Sequence, residues 1–259
     1  EGVKQFSPGD NVSVLPSDSL ARFGSCADKL LIPESYLVHK PESLSWEEAS
    51  SVWMQYLTAW GGIVHAGELT KGASVLVTAA SSSVGLAAVQ IAEAAGARVI
   101  ASTLTMEKKE RLLALGVKDV IASEDEPDLY QAIVSRLGGE HLDIVFDAVG
   151  GPQIEHIAQA MSAKGRMVMH GALSPDVTPF PLRLALRKSL TMRGFLFLEV
   201  LNDPAIREKA KRFILSCMGA GFLKPQIDKC FKFEELREAH QYLESNQQIG
   251  KIIVRVDPV

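Results

Sequence analysis

The chain has 259 residues, of which 47% are hydrophobic and 22% charged, enough for one large domain or two modest ones with a buried core, and too apolar for disorder. A net charge of −4, with no basic cluster denser than Lys108, Lys109 and Arg111, argues against a nucleic-acid partner, and the lack of any apolar run of transmembrane length argues against a membrane. Three scattered cysteines, Cys26, Cys217 and Cys230, lack CxxC spacing, which argues against a disulfide framework or a four-cysteine zinc lobe and fits a reducing, cytoplasmic setting.

Glu1 is not an initiator, and Phe6 to Val12 reads as a turn feeding a strand, so an amino-terminal segment is expected to precede the chain. Residues 10 to 40 read as short β structure broken by Pro16, Gly24, Pro33 and Pro41. Ser45-Trp46-Glu47-Glu48 has the form of a capping box and opens a helix through about Met54. A second helical stretch is expected around Leu57 to Ala66.

From Ala73 the pattern alternates. Strands are predicted at Ser74–Ala79, Arg98–Ala101, Asp119–Ala122, Asp143–Asp147, Arg166–His170 and Leu190–Phe197. Helices are predicted at Val84–Ala95, Met106–Leu115, Leu129–Leu137 and Ile154–Ala163, most of them closed by glycine. The first strand is continuously apolar, as a strand buried on both faces should be. Strands joined by helices in this rhythm imply right-handed βαβ units and a doubly wound parallel sheet. Beyond Asn202 the alternation stops. Two amphipathic helices, Pro204–Met218 and Phe233–Ser245, precede a closing strand at Gly250–Val256.

The turn after the first strand, Ala79-Ala80-Ser81-Ser82-Ser83-Val84-Gly85, stands where a dinucleotide pyrophosphate meets free N–H groups at a helix start. Its match to GxGxxG is poor, and a plain tight turn is the rival reading. Small residues admit the phosphates, serine hydroxyls can donate to them, and Gly85 lets helix and strand pack closely. The second strand leads into Ser102-Thr103 with no carboxylate, where an NAD site places one. A ribose phosphate fits better there. Ser102 or Thr103 can donate to it, and Lys108, one turn into the next helix, can supply charge. Lys109 reads instead as a solvated helix residue.

At this point the chain resembles the medium-chain dehydrogenase/reductase superfamily, in its zinc-independent quinone oxidoreductase and enoyl reductase branch. The resemblance rests on Pro8-Gly9-Asp10-Asn11-Val12, Leu57-Thr58-Ala59-Trp60, Gly72 to Val77 leading into Ala80 to Gly85, Asp147-Ala148-Val149-Gly150-Gly151, Gly165-Arg166-Met167-Val168 and Gly250-Lys251-Ile252-Ile253. It implies a GroES-like substrate domain from both chain ends (1–55 and 200–259) and a Rossmann domain between them (56–199). It implies NADPH as cofactor and a small-molecule substrate. By resemblance, Thr58 lies near the nicotinamide, Ser81, Ser82, Ser83, Val84 and Gly85 take the pyrophosphate, and Lys108 faces the ribose phosphate. Val149-Gly150, Gly171-Ala172, Phe195-Leu196-Phe197 and Lys251 line the cofactor. The family also implies a homodimer formed through the sixth strand, Leu190–Phe197.

Two features depart from the family pattern: serines stand where the turn usually has paired glycines, and the opening strands of the substrate domain, which hold family residues that touch substrate, are expected to be missing. Met54 occupies the place of a catalytic zinc-ligand cysteine, so no metal site is expected. The expected activity is NADPH-dependent hydride transfer to a quinone or an α,β-unsaturated carbonyl. The rivals are a zinc-type alcohol dehydrogenase and a truncated cofactor-binding protein without catalysis. Tyr56, His65 and His170 are candidate proton donors, but none is assigned a catalytic role. His170 reads more simply as a structural histidine, and Cys26 as filler.

Overall fold

The computed structural model describes residues 3–17 and 24–256. The chain divides into two compact units, Glu1–Gln55 with Lys224–Val259, and Tyr56–Leu223. The sequence put the second boundary near residue 200, but residues 200–223 belong with the central unit. There the short helix α8 (Leu198–Leu201) packs on α9 (Pro204–Gly219), which is capped by the Asp203 carboxylate and carries Pro204 in its first turn. Among the described residues no helix is long and apolar enough to cross a membrane.

In the terminal unit, β1 (Val12–Val14) pairs antiparallel with β2 (Leu37–His39). The Ser45 capping box forms as expected. Glu48 N–H donates to Ser45 Oγ at 3.1 Å and Ser45 N–H to Glu48 Oε2 at 2.9 Å. The helix it opens, α1 (Trp46–Ser50), is shorter than predicted, because the chain breaks at Ser51 and restarts as α2 (Trp53–Trp60). At the far end of the chain β9 (Ile227–Lys232) pairs parallel with β10 (Lys251–Arg255) across α10 (Leu236–Glu244).

The central unit is the predicted Rossmann sheet. Its six strands are β3 (Ser74–Val77), β4 (Arg98–Thr103), β5 (Val120–Ala122), β6 (Leu142–Asp147), β7 (Met161–Met169) and β8 (Thr191–Gly194). They are all parallel and lie in the order β5-β4-β3-β6-β7-β8. The order reverses between β3 and β6, which opens a crevice at the carboxyl edge. The chain crosses by α3 (Ser83–Ala94), α4 (Met106–Ala114), α5 (Leu129–Arg136) and α6 (Gln153–Ala160).

Alternation along the strands sorts the core. Leu76, Ile100, Ile121, Val145 and Met167 face α5 and α6, where Ile133, Leu137, Ile154 and Ile157 complete one apolar layer. Val75 and Val77 point to the other face, toward α3. Each buried Leu or Ile contributes roughly 1.5–3 kcal/mol, so this layer is a large part of the unit's stability.

Two local features depart from expectation. After Trp60 the helix does not continue as an α-helix but widens into a π-helix, Gly61–Ala66. A side chain on Gly61 would place its Cβ 2.5 Å from Phe195 Cζ and from Val200 Cγ2, and one on Gly62 would strike the Phe146 ring. The glycine pair and the widened turn therefore let this backbone approach the ends of β6 and β8. The second feature is α7 (Leu182–Lys188), which the sequence pattern did not announce. Its Leu-Arg-Leu-Ala-Leu-Arg-Lys alternation mimics a strand, and it buries no residue fully.

The sixth strand is also shorter than predicted, ending at Gly194 rather than Phe197. Phe195 N–H still donates to Met169 O at 2.8 Å before the chain turns into α8. Among the described residues it is an edge strand, paired only with β7.

Candidate cofactor site

The site gathers at the carboxyl edge of β3, β4, β6, β7 and β8, and it begins with the turn from β3 to α3. Ser82 caps α3: its Oγ accepts from Gly85 N–H at 3.0 Å. The oxygen's lone pair therefore serves the helix, a role the sequence reading did not give it, while the hydroxyl hydrogen is still able to donate to a phosphate. The first turn of α3 leaves the N–H groups of Ser83 and Val84 without intrahelical acceptors, and these remain for an anion. Gly85 fills the close-packing role read from the sequence. A Cβ there would lie 2.5 Å from Ala79 O and 2.6 Å from Ala80 Cα.

Ala79 takes φ +47°, a left-handed conformation that an L-residue with a side chain adopts at a cost of about 1–2 kcal/mol. Glycine would relieve it, less the extra freedom glycine has when unfolded. Ala79→Gly is expected to stabilise the protein by roughly 0.5–1 kcal/mol. A lower urea midpoint for this variant would contradict the reading.

The turn is tied to β4. Ala80 N–H donates to Ser102 O at 2.9 Å, and Thr103 Oγ1 donates to Ser81 Oγ at 3.4 Å. Strand β4 runs two residues beyond the prediction, so Ser102 and Thr103 are strand residues and both are buried. Thr103 is thus engaged with Ser81 rather than held open. Thr105 caps α4 by accepting from Lys108 N–H at 3.4 Å.

The two lysines differ in the way their surroundings dictate. Lys109 Nζ lies 2.9 Å from Glu126 Oε1, a carboxylate that Arg136 also holds at 2.7 Å. Lys108 makes no ion pair among the described residues, and partial burial together with neighbouring Arg111 lowers its pKa against the raising influence of Glu107. A half-buried cation beside a second cation is a place where an anion is favoured.

A buried carboxylate holds the next segment. Asp147, at the end of β6, is fully buried. Thr78 Oγ1 donates to its Oδ1 and Gly150 N–H to its Oδ2, each at 2.7 Å. Thr78 Oγ1 in turn accepts from Ala148 N–H at 2.9 Å. Burial raises the carboxyl's pKa, against the lowering influence of Thr78, Gly150 and Val149. The chain Thr78–Asp147–Gly150 therefore clamps the Val149-Gly150-Gly151 loop onto the end of β3. Gly150 and Gly151 both take φ +69°, and Gly151 N–H donates to Thr178 Oγ1 at 2.9 Å.

Beyond β7, His170 stacks on Phe146 with ring centroids 3.8 Å apart, and its backbone N–H donates to Asp147 O at 2.8 Å. Gly171 fits because a Cβ would meet Ala148 O at 2.7 Å. His170, Gly171, Ala172, Phe195, Leu196, Leu198, Glu199 and Asn202 line a cleft of about 670 Å³. Phe195 is buried in its wall and Phe197, half-buried, immediately precedes α8.

Burial lowers the His170 pKa from 6.5 to about 4, so the imidazole is neutral near neutral pH. A depressed base binds its proton more readily when unfolded, so its penalty is absent above about pH 6.5, grows as pH falls, and is complete below about pH 4. The shift corresponds to about 3 kcal/mol. His170→Phe is expected to keep the stacked ring and to lose about 3 kcal/mol less stability than the parent between pH 7 and pH 4. Parallel urea curves for the two proteins at both pH values would contradict this.

The structure thus brings Ser81–Gly85, Ser102, Thr103, Lys108, Val149, Gly150, Gly171, Ala172, Phe195 and Phe197 to one edge of one sheet. Thr58 lies on α2, one turn before Gly61 and Gly62. Lys251 begins β10 in the terminal unit, with its N–H donating to Gln226 O at 2.8 Å. Tyr56 is buried and donates to Gln90 Oε1 at 2.7 Å, which gives it a structural role. His65 stacks near Trp60. Sequence reasoning missed Gly61, Gly62 and Thr78. The glycine pair inside a helical stretch was the available signal for the first two; nothing local marked Thr78.

A family model described as zinc-binding dehydrogenase matches residues 83–215. Quinone oxidoreductase-like protein 2 homolog of Nematostella vectensis is 26% identical over 257 residues, 97% of this chain and 68% of that protein. The quinone oxidoreductase of Thermus thermophilus, solved also in complex with NADPH, is 32% identical with a TM-score of 0.76, over 86% of this chain and 71% of that one. CurK enoyl reductase has a TM-score of 0.82 at 27% identity, over 98% and 74%. The chain belongs to the zinc-binding dehydrogenase family, in the quinone oxidoreductase and enoyl reductase branch of the medium-chain dehydrogenase/reductase superfamily. It spans about two thirds of the length of the Nematostella relative and of the rat synaptic vesicle membrane protein VAT-1 homolog, and about a tenth of the polyketide synthases it also matches. Despite the family's name, no group of three His, Cys, Asp or Glu side chains among the described residues offers a zinc ion a ligand set.

Proposed function

We propose that the chain is an NADPH-dependent, zinc-independent oxidoreductase that reduces a quinone or an α,β-unsaturated carbonyl. One observation carries the choice of NADPH: Lys108 is half-buried between Arg111 and Glu107 without an ion pair among the described residues, one turn after a strand that ends without an acid. The NADPH complex of the Thermus relative supports a nicotinamide cofactor. A bound dihydronicotinamide supplies the hydride. The first turn of α3 and Lys108 hold its phosphates. The clamped Val149-Gly150 loop, Gly171-Ala172 and the Phe195 segment orient it in the cleft. The hydride would go to an electron-poor carbon of the acceptor, with the completing proton drawn from solvent.

The cleft's lining by Met169, Phe195, Leu196 and Leu198 favours an apolar acceptor. Edge strand β8, with exposed Leu173, Val177, Phe180, Leu182 and Leu186 on the segment before it, supports a homodimer formed through that edge. Three free cysteines support a cytoplasmic setting. The test is NADPH consumption in the presence of enones and quinones, with metal chelator added. Turnover that persists with chelator is expected. Nucleotide binding without turnover of any acceptor would favour the non-catalytic reading, and turnover abolished by chelator would favour a zinc enzyme.

A further inference from the structure

Two adjacent glycines of the π-helix stand behind the cleft wall. A Cβ on Gly61 would meet Phe195 Cζ and Val200 Cγ2, each at 2.5 Å, and Phe195 Cε2 at 3.2 Å. A Cβ on Gly62 would strike the Phe146 ring, on which His170 stacks. Phe195 and His170 both line the cleft, together with Met169, Leu196 and Leu198. One turn of backbone therefore supports two parts of the wall.

The neighbours of Gly61 are not equally free to give way. Val200 is fully buried on α8, and its N–H donates to Phe197 O at 3.0 Å. The Phe195 backbone is held by its N–H bond to Met169 O at 2.8 Å. The Phe195 ring, by contrast, borders the open space of the cleft. A side chain at position 61 would drive that ring into the cleft, because a close-packed interior cannot absorb an added methyl group elsewhere. With glycine the ring sits back in the wall, 2% exposed. The cleft then keeps its volume of about 670 Å³, within the range of pockets that enclose a drug-sized molecule.

We propose that Gly61 is a positioning residue that sets acceptor specificity: by seating the Phe195 ring back from the cleft, it admits a bicyclic quinone in preference to a short acyclic enone. This rests on the reductase reading above and narrows it. Gly61 touches neither reactant and acts through Phe195. Either acceptor gains one hydride and one proton for each NADPH oxidised.

The test is steady-state NADPH oxidation with a naphthoquinone and with methyl vinyl ketone, in the parent, Gly61→Ala, Val200→Ala and the double variant. The quantity compared is the ratio of kcat/KM for the quinone to that for the enone. The parent is expected to favour the quinone. Gly61→Ala is expected to lower the ratio roughly tenfold, the effect of one misplaced carbon in an apolar pocket, and to do so through the KM of the quinone. Val200→Ala removes the atom on the other side of the same space, so the double variant recovers most of the ratio. If Gly61→Ala fails to fold, Val200→Ala carries the comparison by itself: the ring gains room to sit further back, and the ratio rises roughly threefold. A parent that favours the enone, a loss shared equally by both acceptors, or a fall in the ratio that Val200→Ala does not reverse overturns the proposal and leaves the reductase reading standing. An unchanged ratio in both single variants does the same. A parent that oxidises NADPH with neither acceptor overturns both.

Discussion

A Gly85→Val substitution is expected to abolish nucleotide binding and to lower stability by about 3 kcal/mol. The first added carbon would lie 2.5 Å from Ala79 O and 2.6 Å from Ala80 Cα. Both are backbone atoms and cannot rotate aside as a side chain can. Helix α3 must then move away from the end of β3. That movement breaks the Ser82 cap on Gly85 N–H and displaces the N–H groups proposed to bind the pyrophosphate. It also loosens the packing of Leu86, Val89 and Ile91, all buried on this helix. Urea denaturation and an NADPH titration read the two effects separately. A variant with parental affinity would show that the turn does not hold the phosphates.

The second large effect is expected at Asp147. Replacing it with alanine should cost about 3–5 kcal/mol, because several buried donors are left without their acceptor. The loss is not that of a single bond. Gly150 N–H and the Thr78 hydroxyl both lose their acceptor in a site closed to water. The Val149-Gly150-Gly151 loop is then held to β3 only indirectly, and nucleotide affinity should fall with stability. Asp147→Asn keeps one acceptor oxygen but brings an amide N–H against a donor, so it should recover only part of the loss. A Thr78→Val variant tests the same clamp from its other end. Full stability in Asp147→Ala would mean the clamp is not what fixes the loop.

The Rossmann sheet was legible because it is written in two strong signals. Ser74–Val77 is buried along its whole length and apolar after its first residue, and glycines close the helices at positions such as Gly96 and Gly116. The terminal unit was less legible because its strands are short or polar. Strand β9 has only Phe231 fully buried among charged neighbours, so no apolar alternation announced it. The turn residues were located by position, but the capping role of Ser82 was not. Sequence places a serine at a helix start and cannot say whether its hydroxyl is turned to the helix, to a ligand or to both. Gly61, Gly62 and Thr78 were not found because their reasons are tertiary. The glycines make room for Phe146 and Phe195, and Thr78 answers a carboxylate 69 residues away. Lys108 and Lys109 are adjacent on one helix, and the physical ground for separating them is Glu126, which holds Lys109 from the far side of β5.

The central claim is that this site holds a ribose-phosphorylated nicotinamide cofactor through Lys108. The most direct test is a paired titration of the protein with NADPH and NADH, repeated with Lys108→Ala. The parent is expected to prefer NADPH, and the substitution to weaken NADPH by roughly 10–100-fold, about 1.4–3 kcal/mol, while leaving NADH unchanged. Equal affinity for the two nucleotides in the parent, or a loss shared equally between them in the variant, would contradict it.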